Sequence, residues 1–270
     1  MPTLRVSDAD AIAYDDASQG PVIVLVHGSP ATSRAWQPVA ERLAARFRVI
    51  SPNLPGYGAT TRPAGEGPGD SSYAAGLIEA LIAEAGPPAV LAGHSYGGVV
   101  ALMTALRGRV RPGALALFER VAVPVLAAVG EAEAFAAARA LFEGYCAAFE
   151  RGDPEAVRIM VDYWFGAGAL ERMPAPVREF LAAHTGHNVR DVRATFRDPY
   201  SVTALRGLAM PVLCVVGSRS PAMMGRIVKA IASHAPRGII ETLEHADHAM
   251  TTTHADAVAT LIAKLADGGA

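Results

Sequence analysis

The segment Gly93-His94-Ser95-Tyr96-Gly97-Gly98 sets a serine between two short apolar runs, Ala89–Ala92 and Val99–Met103. A G-x-S-x-G pattern between a strand and a helix is the signature of a nucleophile elbow. Such a turn strains the backbone at Ser95 and lifts its hydroxyl clear of the sheet. Gly93 and Gly97 suit positions where a Cβ would strike the neighbouring strand or helix. The same turn leaves the Tyr96 N–H at a helix N-terminus, where it can donate to a developing oxyanion. The bland alternative is a Gly-rich turn with an ordinary serine. A serine hydroxyl is a poor nucleophile at neutral pH and needs an adjacent base. Glu244-His245-Ala246-Asp247-His248-Ala249-Met250 offers two candidates near the C-terminus, His245 and His248. Two histidines three apart would also suit a metal. No further ligand cluster accompanies them, so neither a metal site nor a cofactor is expected.

Those residues need a rigid frame. Val22–Val26 is a continuous β-branched and aliphatic run, the mark of a strand buried on both faces. Similar runs occur at Phe47–Ile50, before the elbow, at Ala114–Phe118, at Pro211–Val216 and at Ile239–Leu243, with two shorter strands expected around Thr3–Val6 and Ala11–Tyr14. Helical patterns alternate with them over Ser33–Ala45, Ser72–Glu84, Pro221–Ala235 and Thr253–Leu265, and the Gly/Pro-rich stretch 62–69 reads as a loop. Alternating strands and helices predict an α/β fold with a mostly parallel sheet covered on both faces. From Val121 to Leu208 the alternation gives way to helical pattern alone. The expected organisation is a core of residues 1–120 and 209–270, with a helical lid over 121–208 at the sheet's carboxyl edge, where ligands bind in open α/β sheets.

With 270 residues the chain is long enough for one large domain. A net charge of −2 leaves no basic footprint for nucleic acid and no polybasic membrane patch. The first residues lack an apolar signal core, and no apolar run approaches a membrane span, so a cytoplasmic location and no membrane partner are expected. Cys146 and Cys214 read as two buried free thiols. A small-molecule substrate is the expected partner, and a homodimer is one possible assembly.

Along nearly its whole length the chain resembles the α/β-hydrolase superfamily. The resemblance rests on His27-Gly28-Ser29-Pro30, Asn53-Leu54-Pro55-Gly56-Tyr57-Gly58, the Ser95 elbow and His248, in the family's order and at its usual strand ends. It implies an eight-stranded α/β-hydrolase sheet with a helical lid inserted after the sixth strand. It favours His248 over His245 as general base and makes Ser29 N–H the second oxyanion donor beside Tyr96, with His27 bracing the loop. The family's usual acid, an aspartate after the Pro211–Val216 strand, is missing: Ser220 stands there, in Gly217-Ser218-Arg219-Ser220-Pro221. The family's alternative acid position, at the end of the preceding core strand, holds Glu119. Other readings remain, namely a salt bridge from Glu119 to Arg120, Asp247 as the acid, or a dyad assisted by Ser220 or water. His184 and His187 read as solvated lid histidines, and Phe142, Tyr145 and Phe149 as lid core. Trp164 and His94 are candidate substrate contacts.

These residues predict a serine hydrolase with a Ser95–His248–Glu119 triad, cleaving an ester, thioester or lactone of a small to medium, largely apolar substrate through an acyl-enzyme. Hydrolysis of a carbon–carbon bond would use the same groups. A lyase on the same scaffold is disfavoured by the absence of lysine from the lid. A ligand receptor with a slow triad is favoured only by the missing aspartate.

Overall fold

The computed structural model describes residues 1–62 and 69–269. Most of the loop expected over 62–69 therefore lies outside the described residues. The apolar runs form one eight-stranded sheet: β1 (Thr3–Arg5), β2 (Ala11–Ala17), β3 (Val22–Val26), β4 (Arg48–Pro52), β5 (Val90–His94), β6 (Ala114–Phe118), β7 (Val212–Gly217) and β8 (Gly238–Leu243). Its spatial order is β1-β2-β4-β3-β5-β6-β7-β8. The β1–β2 and β2–β4 pairs are antiparallel, and all pairs from β4 to β8 are parallel.

Side chains alternate between two apolar layers. Ile23, Leu25, Val90, Ala92 and Phe118 face one layer, which includes residues of α1 (Gln37–Leu43) and of α13 (Ala255–Ala266). Val24, Val26, Leu91, Leu115 and Leu117 face the other, with residues of α2 (Ser72–Ala85), α3 (Tyr96–Arg107) and α11 (Ala222–Ala232). Both faces are dry, so these strands carry apolar residues at successive positions instead of alternating with polar ones.

The connections locate the site. After β3 the chain passes through a 3₁₀ turn (Ser33–Trp36) and α1 to β4, on one side of β3. After β4 it crosses through α2 to β5, on the other side. The carboxyl ends of β3 and β5 thus diverge at a topological switch point, where a crevice opens. His27–Ser29 follow β3, and Ser95 follows β5.

Between β6 and β7 the described residues hold helices alone: α4 (Pro124–Ala128), α5 (Ala132–Glu150), α6 (Ala156–Phe165), α7 (Ala169–Arg172), α8 (Ala175–Ala183), α9 (Thr185–Arg197) and α10 (Val202–Arg206). Phe142 and Tyr145 of α5 are buried. Phe149, expected to join them, is 37% exposed, because it lies in the last turn of α5 over Gly186, which has no side chain to cover it. The expected terminal helix is interrupted at His254, giving α12 (Met250–Thr253) before α13. Among the described residues no helix is long and apolar enough to cross a membrane.

Candidate active site

The elbow is built by exclusion. Ser95 has φ 52° and ψ −122°, a conformation that costs an L residue about 1–3 kcal/mol. A Cβ on Gly93 would lie 2.3 Å from the Gly97 carbonyl oxygen, and one on Gly97 would lie 2.3 Å from the carbonyl oxygens of both Val26 and His27. Glycine at both positions lets β5, the turn and α3 approach closely enough to hold that strain. The turn aims the Ser95 hydroxyl at His248, whose Nε2 is 3.0 Å from Oγ.

His248 Nδ1 lies 3.2 Å from Glu119 Oε2. Glu119 is fully buried at the end of β6, with φ 47°. Its other oxygen, Oε1, accepts hydrogen bonds from the Gly217 amide (2.7 Å) and the Ser220 hydroxyl (2.8 Å). Ser220, which stands where an aspartate was expected, therefore supports the Glu119 carboxylate. Both oxygens are satisfied, which a buried carboxylate requires. Arg120 turns elsewhere, donating from Nη2 to the Ile227 carbonyl (2.9 Å). Asp247 accepts from the Ala249 amide (2.8 Å) in a local turn. His245 is exposed at φ 61°, its amide donating to Ser218 Oγ.

Ser29, Ser95 and Tyr96 line a narrow cavity. Its other walls include Val121, Val123, Phe142, Met160, Trp164 and Phe196. The loop bearing Ser29 is braced from below and above. Below, His27 Nδ1–H donates to the Gly28 carbonyl (2.6 Å), and Nε2 accepts from the Leu54 amide (2.9 Å). Burial pushes the His27 pKa down to about 4, so the ring is neutral at pH 7, consistent with that tautomer. Above, Asn188 of α9 donates from Nδ2 to the Ser29 carbonyl (2.8 Å) and hydroxyl (2.9 Å). Tyr57 OH lies 2.7 Å from Ser29 Oγ and donates to Asp191 Oδ2 (3.0 Å), while Arg62 pairs with Oδ1 of the same carboxylate. Burial pushes the Asp191 pKa up, and the Arg62 guanidinium opposes it.

Several residues sit differently from expectation. His94 does not line the cavity. Its Nε2–H donates to the His248 carbonyl (2.8 Å), and burial, with His248 alongside, pushes its pKa down to about 3, so it stands as a neutral brace. His184 and His187 are half-buried and make specific contacts. His184 stacks on Tyr57 and Phe180, and His187 Nδ1–H donates to the Gly56 carbonyl (2.7 Å). Both dock α9 and its start onto the Asn53–Gly58 loop, because that loop faces the insertion. Trp164 lines the cavity, and its ring also stacks on His248, with centroids 3.9 Å apart and planes 9° apart.

Sequence reasoning missed Tyr57, Arg62, Asn188 and Asp191. A signal existed in α9: Thr185, Asn188, Asp191 and Thr195 recur at helical spacing and are all buried. A buried stripe of polar residues implies partners for each.

The model of the alpha/beta hydrolase family matches residues 23–261, and the chain belongs to that family. A relative in Stenotrophomonas maltophilia, a pimeloyl-[acyl-carrier protein] methyl ester esterase, is 30% identical over 272 residues, covering 94% of this chain and 98% of its own. A protein of Mycobacterium tuberculosis described as uncharacterized is 37% identical over 93 residues, 34% of this chain and 27% of that longer protein. Among solved structures, a hydrolase from Pseudomonas aeruginosa superposes with a TM-score of 0.76 at 22% identity, covering 98% of this chain and 97% of its own. That likeness is one of fold.

Proposed function

We propose that the protein is a serine hydrolase that cleaves an ester, thioester or lactone through an acyl-enzyme on Ser95. The observation that carries this reading is the unbroken line Ser95 Oγ, His248, Glu119 Oε2, all three residues buried. His248 Nε2 takes the hydroxyl proton as Ser95 Oγ bonds to the substrate carbonyl carbon. Glu119 holds the ring in the tautomer with Nε2 free and stabilises the imidazolium that forms. Negative charge collects on the carbonyl oxygen, which the Ser29 and Tyr96 amides receive. As the tetrahedral adduct collapses, the bond to the leaving oxygen or sulfur breaks and His248 returns its proton there. Water then gives a proton to His248 and its oxygen to the acyl carbon. The second collapse releases the acid and restores the Ser95 hydroxyl.

The helical insertion acts as the cap in this reading, supplying the apolar cavity walls. Their narrowness favours a small acyl group, and the methyl ester named for the Stenotrophomonas relative supports a short alcohol as leaving group. Against a receptor reading stands the Glu119 carboxylate 3.2 Å from His248 Nδ1, which in this reading serves as the acid.

The test is intact mass after incubation with a fluorophosphonate, followed by peptide mapping. One adduct on Ser95, abolished in His248→Ala, is expected. Folded wild-type protein that stays unmodified overturns the reading.

A further inference from the structure

We infer that Trp164 is a positioning residue for His248, in addition to being a wall of the substrate cavity; this rests on the serine-hydrolase reading above. The indole lies parallel to the imidazole at 3.9 Å between centroids, a closer and flatter contact than any the cavity walls make with one another. Both rings are nearly excluded from water: Trp164 is 9% exposed and His248 7%.

The contact does three things. It limits rotation of the imidazole out of its plane, so Nε2 stays aimed at Ser95 Oγ. It keeps water off one face of the ring. It also strengthens when the ring takes the Ser95 proton, because a cation over an indole face is attracted by the ring quadrupole, most strongly in a desolvated site. That last property makes the contact better in the transition state than in the ground state, which is the condition for raising kcat.

Trp164 is itself well fixed. Tyr163 packs edge-on against it at 4.8 Å and reaches Met223 Sδ of α11, while Phe142 flanks it at 6.4 Å. The base is therefore clamped between two layers of the molecule: α6 of the insertion from one side, and the β5 and β6 ends from the other. The polar and titratable groups around His248 are Glu119 just after β6, Ser95 just after β5, the neutral His94 at the end of β5 and Asp247 in its own loop. The fully buried Glu119 is the one at hydrogen-bond distance from Nδ1.

A cavity wall and a positioning residue give different signatures along an acyl series. With p-nitrophenyl acetate, butyrate and octanoate, Trp164→Ala is expected to lose about tenfold to thirtyfold in kcat, equally for all three, with KM for the acetate within about twofold of wild type. Trp164→Phe, which restores an aromatic face, should recover to within about threefold. A loss confined to the longer acyl groups and seen mainly in KM overturns the inference.

A second readout needs no turnover. At a fixed pH a stacked imidazole perturbs indole emission, so the emission due to Trp164, taken as the difference from Trp164→Phe, should change when His248 is replaced by Gln. A Trp164 emission unaffected by His248→Gln overturns the inference whatever the activity. A wild type inert to every ester whose Trp164 emission still depends on His248 sinks the hydrolase reading and leaves the clamp standing.

Discussion

The floor of the site and its roof are built on different terms. The floor is the row of carboxyl ends of β3, β5 and β6 with the loop after β8. There each side chain is aimed by backbone that can follow one path: Gly93 and Gly97 pack against carbonyls with no room for a Cβ, and Ser95 and Glu119 sit at positive φ. The roof is the α4–α10 insertion, whose helices are regular and whose contributions come from side chains that reach down. Trp164 lies on His248, and Asn188 grips Ser29. A floor made of backbone constraint tolerates almost no substitution. A roof made of side-chain contacts can change its occupants without refolding the sheet, so it is the part suited to setting substrate choice.

Three variants can break or sharpen this contrast. Glu119→Gln strikes the floor and should cost roughly 10⁴ in kcat, because an amide cannot hold the His248 tautomer or stabilise its charge. Esterase assays that give near wild-type turnover would return the acid to another residue. Asn188→Ala strikes the roof where it meets the floor. Deleting an oxyanion donor outright costs about 10²–10³, so loosening the Ser29 loop should cost less, about tenfold in kcat on an acetate ester with KM little changed. If kcat stays at the wild-type value, the roof does not help to shape the oxyanion site.

The third variant is read in stability and not in turnover, and tests whether a neutral imidazole holds the floor. Folded His27 takes its proton only near pH 4, whereas the unfolded chain takes it near 6.5. Between those values the unfolded state binds the extra proton, so stability is lost as pH falls, by about 3 kcal/mol from this residue. Urea melts of wild type and His27→Asn across that range should converge toward low pH. Curves that stay parallel would show that His27 is not held neutral.

Much of this was legible in the chain. Short β-branched runs bounded by Gly and Pro gave strands at nearly their observed limits, because dry strands need successive apolar residues. The elbow was legible for the same local reason: its glycines answer contacts a few residues away. Ser220 taught less by itself. A serine after β7 reads as a gap until the structure shows it donating to Glu119, a residue 101 positions earlier. The insertion was legible as helices and little more, since helical periodicity states which face is buried and not against what. His184, His187 and Phe149 illustrate this: the two histidines, expected in solvent, are half-buried against the Asn53–Gly58 loop, and the phenylalanine, expected in the core, is exposed.

The sequence by itself determined the strands and the elbow, because each is written in short-range steric and periodic constraints; between His245 and His248 it was the family resemblance that favoured His248. The tertiary structure decided which carboxylate lies beside His248, what braces Ser29, and what lies across the imidazole. Those contacts join residues 84 to 159 positions apart. Their geometry depends on how the helices of the insertion dock on the sheet, and no local pattern encodes that distance.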